Sequence, residues 1–221
     1  MSTDIKLKIQ SNNSTAYYQK LISFALSENE RFFDFNLGRI SLSVFNDRGD
    51  FERAINLKNT PNWMVAYVKK NELSTIYLLD QNLDKVQVKQ ILTHEVAHLQ
   101  INKLNNNLEF WVKEGLAVYV AKQFKKDEVK KTDWQNFLRL INAKKRMSTV
   151  EFANNNGYVI SSFFISYLIK KLGKETFINI LQKQQKNDNL VKTLENQRVD
   201  LSFKEISKKR AIIKFIALFS A

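Results

Sequence analysis

From Asp84 onward the apolar residues of this chain recur at helical spacing, with few breaks. Val86, Val88, Ile91, Leu92, Val96 and Leu99 mark one long helix, which the Asn105–Asn107 run ends. A second helix is expected from about Glu109 to Phe124 and a third near Trp134 to Ala143. A fourth is expected from Tyr158 to Leu172, closed by Gly173. Glu175 to Gln185 continues the pattern, and a helical tail is expected from Phe203. Five glycines and one proline in 221 residues leave little material for tight turns, which argues against a sandwich of many short strands.

The first part of the chain is different. Ser14 to Phe35 predicts one amphipathic helix carrying Tyr17, Leu21, Ile22, Phe24, Ala25 and Phe32, ending near Gly38. Ile40 to Phe45 alternates apolar and polar residues, as a half-buried strand does. Asp50 is placed to cap a short helix through Asn56. Trp63–Val68 and Thr75–Leu79 are β-rich, and a turn around Asn71 would join them as a hairpin. Helix, a few strands, then all helices is an α+β layout. The length fits a single domain over 1–221, with the helix and small sheet in 1–83 and a helical part in 84–221.

The long helix carries the sequence His94-Glu95-Val96-Ala97-His98. Residues at i and i+4 share a helix face, so both imidazoles can reach one metal ion. Zinc accepts such nitrogens at ~2.0–2.1 Å. Glu95, one residue round from His94, is placed to take a proton from an attacking water and pass it to a leaving group. Both histidines of the protein lie in this motif. A chance match at the chain's own composition is on the order of one in a thousand. Such an accident would also leave two buried imidazoles needing polar partners.

Two histidines do not complete a catalytic zinc site, which uses three protein ligands. Glu114 follows in the next helix, within Trp111-Val112-Lys113-Glu114-Gly115-Leu116-Ala117, and is the candidate third ligand. The break at Asn105–Asn107 would let this helix turn back onto the first, and the small Gly115 and Ala117 would allow close approach. Glu109 is the rival ligand, but stands close to the turn. Trp111 reads as a packing residue, Tyr119 and Tyr167 as core.

HEVAH followed by WVKEGLAVYVA resembles the gluzincin branch of zinc metallopeptidases, of the thermolysin-like superfamily. The likeness runs over roughly residues 40 to 185 and is strongest from Ile91 to Ala121. It implies a zincin-like fold, with a small N-terminal sheet packed on the helix that holds His94 and His98, and a mainly helical C-terminal half. It implies one zinc per chain, a peptide or protein substrate, and hydrolysis with Glu95 as general base. The outer strand of the sheet would bind the substrate backbone by strand addition. That role would fall on Trp63–Val68 or Thr75–Leu79. Where the family carries an acidic residue one turn after the ligand glutamate to orient a histidine, this chain has Val118. Another group must do that work. An oxyanion donor is also needed, and Tyr158 is the candidate, against the alternative of an aromatic staple in the core.

The absence of cysteine excludes disulfides, cysteine-ligated zinc and a thiol nucleophile. The net charge of +13 raises the alternative of nucleic acid or an anionic membrane as partner, but the basic residues are dispersed. Any such association is expected to be weak. Lys122 to Lys131 reads as a solvated helix end. Lys208-Lys209-Arg210 precedes an apolar tail, Ala211 to Ala221, expected to pack on the domain rather than dock on a surface. Met1 to Gln10 is polar and alternating, unlike a secretory leader, so the expected location is cytoplasmic, or secreted if a leader has been removed. Two further alternatives keep the fold: a non-peptidase zinc hydrolase, and an inactive binding protein.

Overall fold

A computed structural model describes residues 3–69, 74–123, 148–186 and 188–196. The elements expected near Trp134–Ala143 and from Phe203, the turn at Asn71 and the basic run before the C-terminal tail lie outside these residues. The described residues give a mixed architecture of eight helices and a four-stranded sheet. Residues up to Asn106, with Val120–Lys122, form one compact unit. Asn107–Tyr119 and the described residues from Gln123 onward form another.

In the first unit the order is β1 (Asp4–Gln10), α1 (Thr15–Phe33), β2 (Arg39–Phe45), α2 (Arg48–Ile55), β3 (Ala66–Lys69), β4 (Thr75–Leu79) and α3 (Lys85–Leu104). The sheet runs β1-β2-β4-β3. The strands β1, β2 and β4 are parallel, with Leu7 opposite Leu42 and Leu42 opposite Ile76. Parallel neighbours need a long crossover, and α1 supplies it between β1 and β2. The strand β3 is antiparallel to β4, with Ala66 opposite Leu78, so the expected pairing of these two runs is present.

Alternation along the strands decides the layers. Ile40, Leu42, Val44, Ile76 and Leu78 point to one face and are fully buried against Leu21, Ile22 and Ala25 of α1 and Val88, Leu92 and Val96 of α3. On the other face Phe45, Tyr77 and Leu79 pack with Phe51 and Ile55 of α2. The strand β1 was not expected. Its Ile5, Leu7 and Ile9 pack on the core while Asp4, Lys6, Lys8 and Gln10 are exposed, so its alternation is that of an edge strand.

Three local readings are corrected. The buried stripe of α1 is Tyr18, Leu21, Ile22, Ala25, Leu26, Asn29 and Phe33. Tyr17 and Phe32 are only partly buried, and Phe24 lies under the Lys89 ammonium 3.5 Å from its ring centre. The cap of α2 is Asp47, which accepts the Asp50 N–H at 2.9 Å. Asp50 lies inside the first turn, where a negative charge suits the helix dipole. Val86 is 64% exposed, because Asp84 and Gln87 start α3 with a reciprocal capping box that sets Val88 as its first core residue.

The second unit comprises α4 (Phe110–Ala121) up to Tyr119, α5 (Thr149–Asn154), α6 (Gly157–Leu172), α7 (Lys174–Lys183) and α8 (Leu190–Asn196). The short α5 and α8 were not expected. Leu116, Ala117 and Val118 of α4 are buried, and Trp111 lies 5.6 Å from the Phe164 ring of α6, as a packing residue should. Gly173 ends α6 with φ 80°, a conformation that favours glycine. No helix among the described residues is long and apolar enough to cross a membrane.

Candidate metal centre

The geometry begins with one helix. Val88, Leu92, Val96 and Leu99 hold α3 to the core, leaving His94, Glu95 and His98 half-buried on its flank. The two imidazoles stand one turn apart, and their Nε2 atoms are 3.0 Å from each other. The rings meet at 76° with centres 4.7 Å apart.

Asn29 steadies the turn that carries them. It is a fully buried amide on the apolar stripe of α1. Its Nδ2 donates to the Ala25 carbonyl at 2.9 Å and to the Thr93 carbonyl at 3.0 Å. It therefore fixes α3 to α1 immediately before His94. The sequence signal was present, an amide on an apolar stripe, but did not say which carbonyl it would find.

Val120–Lys122, which close α4, belong to the first unit. The Lys122 carbonyl accepts from Gln90 Nε2 at 3.3 Å, and the Lys122 ammonium reaches Glu28 at 3.4 Å. Lys122 takes φ 54°, the left-handed conformation that closes a helix. Glu114, two turns earlier on α4, is half-buried. One donor atom each from His94, His98 and Glu114 lies within 4.8 Å of the others, so this group could hold a metal ion.

The donors suit a small divalent cation. Tetrahedral ligands at ~2.0–2.1 Å stand about 3.3 Å from one another. The 3.0 Å between the two Nε2 atoms already matches that spacing. Two imidazoles and one carboxylate also leave a coordination position open.

No family model matches the chain, and no curated protein matches it by sequence.

Glu109, the rival ligand, has other work. Its carboxylate accepts the Leu190 N–H at 2.8 Å and Asn189 Nδ2 at 3.2 Å, holding the start of α8. Burial pushes its pKa up, against the Leu190 N–H and Trp111 hydrogen bonds, which pull it down. Tyr158 lies in the first turn of α6, half-buried, with its ring edge-on to Phe152 at 4.9 Å. That contact is the aromatic packing its alternative reading describes. Val118 is a buried, apolar core side chain. Tyr167 is half-buried, with its ring stacked on Phe164 at 6.4 Å. Tyr119 is likewise half-buried, and burial raises its phenol pKa.

Proposed function

We propose that this chain is a zinc-dependent peptidase of the gluzincin type with a zincin-like fold. The observation that carries the reading is the convergence of His94, His98 and Glu114, with Glu95 beside the pair on the same helix. His94, His98 and Glu114 hold one zinc per chain. A zinc ion held there supplies Lewis acidity, making a water more acidic and polarising the scissile carbonyl. Glu95 takes the proton of the attacking water and returns it to the leaving nitrogen. Tyr158 is the proposed donor to the oxyanion.

The substrate backbone is proposed to lie along β3. Of the two candidate strands, β4 is internal and β3 is at the sheet edge. The Leu79 N–H donates to the Val65 carbonyl at 2.8 Å. Ladder alternation then turns the backbone groups of Val65, Tyr67 and Lys69 toward β4, and those of Ala66 and Val68 outward. An extended peptide can pair with these outward groups. The strand β3 also runs beside α3, the helix of the histidines.

The test is Glu95→Gln, assayed on a mixed peptide library with zinc content measured in parallel. The reading expects turnover to fall by about 10²–10⁴, with zinc retained. A rate unchanged in Glu95→Gln, or a zinc-loaded wild type that cleaves nothing, would contradict it.

A further inference from the structure

The ten residues before β3 form a loop whose backbone is held from below. The Arg48 guanidinium donates to Thr60 Oγ1 at 3.0 Å and to the carbonyls of Pro61 at 3.4 Å, Asn62 at 3.1 Å and Met64 at 3.3 Å. One turn further along α2, Glu52 accepts both the N–H and the hydroxyl of Thr60 at 2.7 Å. These bonds hold the Glu52 carboxyl below the usual range. A turn closes from Pro61 to Met64, with the Met64 N–H on the Pro61 carbonyl at 2.9 Å. Met64 itself packs under the sheet with Phe45 and Tyr77.

The clamp fixes the carbonyls on either side of Trp63, yet this residue is 51% exposed. Leu57, earlier in the same loop, is exposed too. The exposed part of a large aromatic ring gains nothing for folding. A tryptophan on a fixed backbone is, however, what a binding surface uses as an anchor, because less conformational entropy remains to be lost. Three residues beyond Trp63 begins the strand whose Ala66 and Val68 groups face outward.

We infer that Trp63 is a specificity-determining residue: an extended peptide paired along β3 sets an apolar side chain against the indole. Arg48 and Glu52 are positioning residues that hold the ring at the head of the strand. The partner class is therefore a peptide in extended conformation with a large apolar residue at one defined position. This rests on the peptidase reading for its occupant, and the edge of β3 supplies the independent argument for an extended chain. Trp63 touches no proposed metal ligand in sequence, so its effect falls on recognition rather than on the chemical step.

The experiment uses the zinc-loaded full chain and fluorescein-labelled hexapeptides of alanine in which one position is Phe, Leu or Ser. Binding is followed by anisotropy and cleavage by mass spectrometry, for wild type, Trp63→Ala, Trp63→Phe and Arg48→Ala. The Phe and Leu peptides should bind wild type at least tenfold more tightly than the Ser peptide. Trp63→Ala should remove that preference with zinc content unchanged, Trp63→Phe should restore most of it, and Arg48→Ala should weaken it. Where cleavage is measurable, the change should appear in KM and leave kcat nearly unaltered. Equal preference in wild type and Trp63→Ala would overturn the inference, as would sedimentation showing that Trp63 instead joins two copies of the chain. Trp63-dependent binding without any cleavage would keep the inference and remove the peptidase reading.

Discussion

At Gly115 the missing side chain is the structural fact. A Cβ there would stand 2.8 Å from the carbonyl carbon and oxygen of Ser161 and 2.9 Å from Ile165 Cγ1. Backbone cannot yield as a flexible side chain can, so α4 or α6 would have to move. Gly115→Ala would raise intrinsic helix propensity by about 1 kcal/mol. Overpacking against a fixed backbone should outweigh this, for a net loss of about 1–3 kcal/mol. Thermal or urea unfolding checks the sign, and a variant as stable as wild type would contradict the close approach. The small residue was legible in the sequence, but the helix it admits was not: the expectation was approach to the long helix, and the tight contact is with α6. His94, Glu95 and His98 were legible because their spacing is local to one helix. Asn29 and Arg48 were not, since their partners lie 64 residues away and across a loop.

At the scale of elements, what could be read was what repeats. The alternation of Ile40 to Phe45 gave β2, and the helical spacing from Asp84 onward gave α3. Short elements such as α5 and α8 depend on tertiary partners, which periodicity does not carry. The start of α8 hangs on Glu109, which supplies the acceptor for the orphan Leu190 N–H. Because burial raises the folded-state pKa of Glu109, the folded chain holds this proton more tightly than the unfolded one. Its contribution to stability is therefore greatest below the ordinary glutamate range. It declines as pH rises from there through the raised folded value, then levels. Glu109→Gln keeps an acceptor oxygen and should flatten this segment of the stability–pH curve without loss at neutral pH. Glu109→Ala leaves Leu190 N–H unpaired and should cost about 1–3 kcal/mol. Chemical denaturation across the acidic range separates the two, and identical curves for wild type and Glu109→Gln would contradict the assignment.

For the molecule as a whole, the α+β order of elements followed from where period-two alternation gives way to helical spacing at Asp84. What the sequence could not carry was how distant segments meet. The edge position of β3 comes from a sheet order that is not the chain order. The proximity of donor atoms of His94, His98 and Glu114 is likewise tertiary. The account of function stands on that proximity, so the decisive measurement is metal content of purified, untagged protein by elemental analysis. The account predicts about one zinc per chain, lost in His98→Ala and reduced at least tenfold in affinity in Glu114→Ala, with both variants folded by circular dichroism. A wild-type protein that takes up no zinc at neutral pH after zinc is added back, or a Glu114→Ala variant that binds it as well as wild type, would contradict the account.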